Sequence, residues 1–469
     1  MNQKVSQVQF RLLTAYLLTS LLSFSSYSSD RPNIVLIMAD DLGYECIGAY
    51  GGTSYRTPTI DQLAQNGILF KNAHSQPICT PSRVQIMTGK YNVRNYIGFA
   101  HLDTSEKTFA NYFQDAGYQT CIIGKWQLGG GARTIKDFGF EHYALWRIGN
   151  SQNKSRYPTP AFLIDGQIKD FQNGEYGPDV LSKYAKEFIL NNKEKPFFLY
   201  YPMLLVHNPF EPTPDSKDWN PKAKGLDNEK GGFKGKDDIK YFLDMMSNMD
   251  LQVKKLIGYL KEADVLENTL VIFTGDNGTT RNIVSIVNGK EIHGGKGYTT
   301  DAGTHVPLIA YWQRNIPKGQ VSEDLVDFSD ILPTLTAAAK ISIPNEETKE
   351  LDGKSFLPQL KGKIGTPREW IYCWSPNRLN IQNVKQFVRN KQYKLYASGK
   401  FYDLESDVYE KSPIIASKLS NEQKQLKSKF SEVLAYYKSK RTHDINSKVK
   451  ALEDKRQKRQ QKKSKKPMK

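Results

Sequence analysis

The chain has 469 residues, enough for one large domain and a smaller one, and its 39% hydrophobic and 12% aromatic content excludes a disordered polymer. Four cysteines, Cys46, Cys79, Cys121 and Cys373, are too few for a disulfide scaffold, and without Cys79 at most one bridge could form. Of the formal net charge of +17, about +11 falls between Lys438 and Lys469, so the body before this tail is only mildly basic.

In chain order, the basic Met1 to Arg11 stretch, the apolar run Leu12 to Phe24 and the small polar residues Ser25 to Ser29 form the pattern of an export signal. The run is too short to span a bilayer, which takes about 20 apolar residues. A mature protein beginning near Asp30, secreted or periplasmic, is therefore expected, with no membrane span. Residues 33–38 form an apolar, β-branched run suited to a buried parallel strand, and Asp40 and Asp41 follow it. A second such run, 270–274, leads into Asp276 and Asn277. Ligand sites of open α/β sheets lie at these strand ends.

Helical spacing is read over 59–67, 108–117, 180–191 and 241–263, with further strands at 119–123 and 196–201. This alternation predicts an α/β catalytic domain over 30–365, a largely parallel mixed sheet flanked by helices. Short runs at 370–374, 386–389, 393–397 and 401–403, then a helix over 421–437, predict a C-terminal α+β subdomain over 366–437 built on an antiparallel sheet. The basic, low-complexity tail, 438–469, reads first as a solvated, partly helical extension and second as a tether for a polyanion.

Chemistry concentrates in a few short motifs. Cys79-Thr80-Pro81-Ser82-Arg83 precedes a helical run to Thr88-Gly89-Lys90; Pro81 fits a first helical turn, whose free amides and positive dipole face an anion. Arg83 lies one turn along the same face. An isolated cysteine is by default a small buried hydrophobe, and the whole pentapeptide in its context reverses that reading. Asp40, Asp41, Asp276 and Asn277 offer only oxygen, which selects a hard cation, calcium or magnesium. Asn277-Gly278-Thr279 is a formal glycosylation sequon, but a metal ligand cannot carry a glycan; Asn153-Lys154-Ser155 is the other candidate.

Together these motifs resemble the type I, formylglycine-dependent sulfatases of the alkaline phosphatase superfamily, whose signature is C-x-P-x-R with a trailing T-G. The resemblance implies that Cys79 is oxidised during export, by a formylglycine-generating or maturase enzyme, to an aldehyde held as a geminal diol. One hydroxyl attacks sulfur and the other breaks the sulfated hemiacetal. It further implies calcium as the metal, with residue 79 among its ligands, and an alkaline-phosphatase-like fold. Gly124-Lys125-Trp126-Gln127-Leu128-Gly129, His207-Asn208-Pro209-Phe210 and Gly294-Gly295-Lys296-Gly297 resemble further family elements. They imply Lys125 and Lys296 as sulfate clamps and His207 as the general acid. Gln127 stands where the family commonly has histidine, and an amide cannot exchange a proton near neutral pH. Asp301 to Pro307 departs from the family's E-G-G-x-R-V-P, and His305 reads as a hydrogen-bonded structural residue before a proton carrier.

Phe328 to Thr334, Leu351 to Ser355, and Tyr402 to Leu404 with Asp407 look like packing landmarks. The expected activity is hydrolysis of a sulfate ester, on a sulfated saccharide or an aryl sulfate, with no nucleic-acid partner. The rival readings are a phosphonate or phosphate ester hydrolase of the same superfamily and a non-catalytic polyanion-binding protein.

Overall fold

Seven consecutive buried residues, Asn33–Ala39, form β1, the strand around which the molecule is organised. Alternation divides its side chains: Ile34, Leu36 and Met38 enter one apolar core, and Val35, Ile37 and Ala39 enter another. A strand buried on both faces needs a continuous apolar run, which is why residues 33–39 lack the polar alternation of a surface strand. The computed structural model describes residues 31–146, 154–229, 236–376 and 383–464. The export signal expected over 1–29 and the sequon's Asn153 lie outside them.

Strands β2 (Ile68–His74), β3 (Gln119–Lys125), β4 (His142–Trp146), β5 (Ala161–Ile164), β6 (Gln167–Asp170), β7 (Phe197–Pro202) and β8 (Thr269–Gly275) follow. A small ribbon, β9 (Val284–Val287) and β10 (Lys290–His293), precedes β11 (Leu308–Tyr311) and β12 (Gln320–Asp327). Ten of these form one sheet in the order β12-β2-β11-β8-β1-β7-β3-β4-β5-β6. The central strands β8, β1, β7, β3 and β4 run parallel; β11 is antiparallel to both β8 and β2, so β2 points the same way as β8. Helices Pro58–Gln65, Gly177–Asn191 and Phe242–Glu262 cover one face, and Cys79–Thr88, Phe109–Asp115 and Ile331–Ala338 the other.

The second sheet is antiparallel, in the order β13 (Ile371–Pro376), β14 (Val384–Arg389), β15 (Tyr393–Tyr396) and β16 (Phe401–Asp403), with the helix Asn421–Ser439 beside it. Lys394, wholly buried on β15, pairs with Glu410 Oε1 at 2.7 Å and also donates to the Thr299 carbonyl. Tyr396 donates to Thr299 Oγ1 at 3.0 Å. This sheet thereby anchors the chain just beyond Lys296.

The sequence landmarks brace the helix that starts at Cys79. Buried Arg368 donates to Asp330 Oδ2 at 2.7 Å and to Ser329 Oγ at 3.0 Å. Asp352 accepts from the Tyr91 amide at 2.8 Å and donates its own amide to the Gly89 carbonyl at 2.9 Å, fixing the turn behind the helix.

The tail shows more packing than a solvated extension. A helix, His443–Ser464, buries Ile445 and Val449 and lays Leu452 against Gly98. Lys448 pairs with Asp103 at 2.9 Å, and Arg456 donates to the Phe99 carbonyl at 2.5 Å. The apolar residues at 445, 449 and 452 carry the i, i+4, i+7 spacing, which the surrounding lysines obscure. All four cysteines are buried free thiols.

Candidate active site

Parallel strands deliver the candidate residues to one edge of the sheet. Asp40 and Asp41 leave the end of β1, Asp276 and Asn277 leave β8, Lys125 ends β3, and His207 and Cys79 lie on the segments leaving β7 and β2. Register locks the first two together: Ala39 faces Gly275, and the Asp276 amide donates to the Ala39 carbonyl at 2.9 Å. Gly124 is required just before Lys125, because its φ is +119° and a Cβ there would lie 2.0 Å from the Pro202 carbonyl oxygen on the neighbouring strand.

These side chains form one connected set. Lys125 Nζ donates to both oxygens of Asp40, at 2.8 and 2.7 Å. Arg83 donates to Asp276 Oδ2 and to the Lys125 carbonyl, both at 2.8 Å, and stands 3.7 Å from Asp40 Oδ1. Lys296 Nζ meets Asp41 Oδ2 at 2.5 Å, and His207 Nε2 lies 3.7 Å from the same oxygen. Asn277 Nδ2 donates to Asp41 Oδ1 at 2.9 Å, and the Asp41 amide to Asp276 Oδ1 at 3.0 Å. Cys79 opens the helix Cys79–Thr88, all of whose residues are buried, and no side chain caps the helix start. Cys79 lies close enough to Arg83 and Lys296 to interact electrostatically with both, so it belongs to the same set. Ser82 fixes the approach to this helix by accepting from the Gln76 amide at 3.1 Å and donating to the Gln76 carbonyl at 3.0 Å.

Burial opposes the Asp40 charge, yet the Lys125 ammonium, with Arg83 nearby, holds its carboxyl below the ordinary range. Burial and the Asp40 charge push Asp276 the other way, up to about 7. Two carboxylates in one dry site cannot both ionise freely without more positive charge. Burial works against the Arg83 and Lys296 charges, and their aspartate partners outweigh it and raise both. Burial and then Lys296 hold the His207 imidazole well below its usual value.

The donor set fits a divalent cation. Asp40, Asp41 and His207 present ligand atoms within 4.8 Å of one another, the carboxylates wholly buried. Asn277 Oδ1 is buried with no hydrogen-bond partner, a cost of about 1 to 3 kcal/mol unless a donor or a cation engages it. Hard oxygen donors and one orphaned amide oxygen match a calcium-type ion. Asn277 is fully buried, which bars a glycan from its formal sequon.

Among the described residues Gln127 takes no part in these contacts; it sits at φ +53° just past Lys125, with Oε1 buried and unpartnered. His305 is committed elsewhere, its Nδ1 2.9 Å from Asp301 Oδ2, its Nε2 2.8 Å from the Lys71 carbonyl and its ring stacked on Tyr44. It therefore offers no replacement for the missing histidine. Sequence reasoning missed Arg156, whose buried guanidinium lies 3.9 Å over the Trp146 ring and bonds Asp227 at 2.8 and 3.2 Å. Its Nη1 lies 3.1 Å from His207 Nδ1. Two neighbours pull on that nitrogen in opposite senses, for Arg156 only donates and the Asn208 carbonyl, 2.5 Å away, only accepts. No local motif marks Arg156, because its partners are 51 and 71 residues distant.

The arrangement can bind a tetrahedral anion with fixed cations and hand a proton to a departing oxygen. Comparison with known proteins agrees with this chemistry. Residues 32–341 match the family model described as Sulfatase, and residues 294–440 match one described as N-sulphoglucosamine sulphohydrolase, C-terminal. Human arylsulfatase A is 31% identical over 403 residues, covering 78% of this chain and 74% of that protein. The ulvan-active sulfatase of Formosa agariphila is 29% identical over 387 residues, covering 80% and 67%. Among solved structures, a complex with the substrate D-glucosamine-2-N,6-O-disulfate aligns with a TM-score of 0.70 at 22% identity, covering 87% of this chain and 99% of that one. A phosphonate monoester hydrolase of Agrobacterium radiobacter aligns with a TM-score of 0.66 at 19% identity, covering 88% and 96%, a likeness of fold alone.

Proposed function

Because this chain belongs to the sulfatase family and hydrolyses sulfate esters, we propose that it does so through a formylglycine made from Cys79, with calcium held by Asp40, Asp41, Asp276, Asn277 and residue 79. What supports this is the meeting of Arg83, Lys125 and Lys296 on three buried aspartates at the sheet edge where the Cys79 helix begins. Formylglycine would supply a hydrated aldehyde, one hydroxyl of which is the nucleophile toward sulfur and the other the means of freeing sulfate. A divalent cation would supply positive charge against the sulfate oxygens.

The chain's own residues do the rest. Arg83, fixed by Asp276 and the Lys125 carbonyl, orients the hydroxyls at residue 79. Lys125 and Lys296 neutralise the sulfate oxygens, releasing part of their hold on Asp40 and Asp41 as they do so. His207, as imidazolium, gives its Nε2 proton to the leaving oxygen while its Nδ1–H donates to the Asn208 carbonyl, and Arg156 beside Nδ1 favours release of the proton. Gln127 contributes an acceptor, its unpaired Oε1, and cannot exchange a proton near neutral pH.

The substrate is a sulfated carbohydrate, the protein acts outside the cytoplasm in a secreted or periplasmic form, and a formylglycine-generating or maturase enzyme modifies it during export. The test is turnover of 4-nitrophenyl sulfate by wild-type and Cys79→Ala protein, with thermal unfolding as control. Loss of turnover with unchanged unfolding is expected. A fully active Cys79→Ala enzyme overturns the proposal.

A further inference from the structure

Beside the proposed sulfate site lies a cleft of about 620 Å³ whose charged lining is entirely basic. Ile78, next to Cys79, lines it together with Lys296, Arg281, Ser375 and Lys385. Ser375 and Lys385 are directly opposed residues of β13 and β14, so both side chains stand on the same face of the small sheet.

Arg281 is held in place before any ligand arrives. Its Nε donates to the Lys296 carbonyl at 2.8 Å, and its guanidinium lies 4.1 Å over the Tyr298 ring. Gly297 makes room for it: φ there is +83°, and a Cβ would lie 2.8 Å from the Arg281 Nη2. Among the described residues, neither Nη of Arg281 nor the Nζ of Lys385 meets a hydrogen-bond or ion-pair partner. Exposed cations are commonplace on surfaces. A guanidinium held by backbone and ring, with neither Nη partnered and no carboxylate among the described residues lining its cleft, is a different arrangement. It adds like-charge repulsion to the fold and returns it only when an anion binds.

We propose that Arg281 and Lys385 form a subsite for a second anionic group, a sulfate or a carboxylate, on the saccharide whose sulfate ester is cut. The inference rests on the sulfatase reading above, and it narrows the substrate to saccharides carrying at least two negative charges. The scissile sulfate lies toward Lys296 and the second anion reaches the fork of Arg281, with Lys385 in the same lining.

The test is calorimetric titration, with otherwise wild-type protein and the Arg281 and Lys385 variants all carrying Cys79→Ala so that binding is read without turnover. Three probes are compared: galactose 6-sulfate, with one anion; glucosamine 2-N,6-O-disulfate, with two sulfates; and a disaccharide of N-acetylgalactosamine 6-sulfate and a uronic acid, with sulfate and carboxylate. At least one two-anion probe should bind the otherwise wild-type protein about tenfold or more tightly than galactose 6-sulfate. Which of the two does so identifies the second anion. Lys385→Gln, which removes no contact within the fold, and Arg281→Gln should each erase most of that advantage while leaving galactose 6-sulfate binding within about twofold. The proposal fails if neither two-anion probe gains over the single sulfate, if none of the three binds, or if the advantage survives in the double variant. Separate measurement of 4-nitrophenyl sulfate turnover by wild-type enzyme tells a failed subsite from a failed sulfatase reading.

Discussion

Glu211 links the fold to the proposed proton donor, and its buried carboxyl gives a pH-dependent prediction. Its Oε1 accepts from the Leu226 amide at 2.7 Å, which ties down the turn carrying Asp227. Asp227 holds Arg156, and Arg156 touches His207. The residue is only 5% exposed and Oε2 has no partner, so burial, with the Asp227 charge adding to it, pushes the carboxyl from 4.5 up to about 7. At about 1.36 kcal/mol per unit, the shift corresponds to about 3 kcal/mol. The folded state binds the proton more tightly than the unfolded one. Its contribution is therefore fully present below about pH 4.5, declines as pH rises, and is gone above about 7. Glu211→Gln stays neutral at every pH and keeps an oxygen for the Leu226 amide. Denaturant unfolding at pH 5 and pH 8.5 should show the variant gaining about 3 kcal/mol relative to wild type between the two conditions. A constant offset, whatever its size, refutes the reasoning, since a lost contact alone carries no pH dependence.

Arg156→Met should shift the pH limit for turnover of a sugar sulfate upward, because removing a cation 3.1 Å from His207 Nδ1 favours the imidazolium, and should do much less for 4-nitrophenyl sulfate, whose leaving oxygen needs no proton. An unshifted limit with equal losses on both substrates would show that Arg156 merely supports the fold. Calcium at a hundredfold excess over its Kd should stabilise the protein by about 2.7 kcal/mol, read as a rise in Tm that Asn277→Leu abolishes; a rise persisting in the variant removes Asn277 from the ligand set. Truncation after Arg441 removes buried Ile445 and Val449 and takes Leu452 from Gly98, two residues before Ala100, whose amide donates to Thr80 Oγ1 at 3.2 Å. It should cost about 3 kcal/mol of stability, and an unchanged Tm would return the tail to the solvated reading.

Much of this architecture was legible because burial leaves a local trace. The apolar run before Asp40, the second before Asp276 and the short C-terminal strands were all readable, and the observed strands β1, β8 and β13 to β16 fall within a few residues of the expected positions. The motif residues cluster at one sheet edge because parallel strands carry their C-terminal ends to the same side, a consequence of topology that needs no long-range information. Contacts between distant segments left no such trace. Nothing near Arg156 announces Asp227 or His207, and nothing in the glycine-rich stretch around Lys296 announces that Thr299 is held by Lys394 and Tyr396 from the second sheet. The docking of residues 443–464 was hidden for another reason: three apolar residues at helical spacing are outweighed in composition by the lysines between them.

Charge placement followed the same division. That Lys125 and Lys296 would be cations near an anion site came from their motifs, whereas their pairing with Asp40 and Asp41 needs the fold. In this arrangement the lysines must exchange carboxylate for sulfate when substrate enters, a swap that becomes cheaper once the aspartates hold a cation.

The central claim is most directly tested by mass analysis of the peptide containing residue 79, from active protein made in its own exporting host. The account predicts a residue that has lost its sulfur and reacts as an aldehyde. An unmodified cysteine in fully active protein would contradict it.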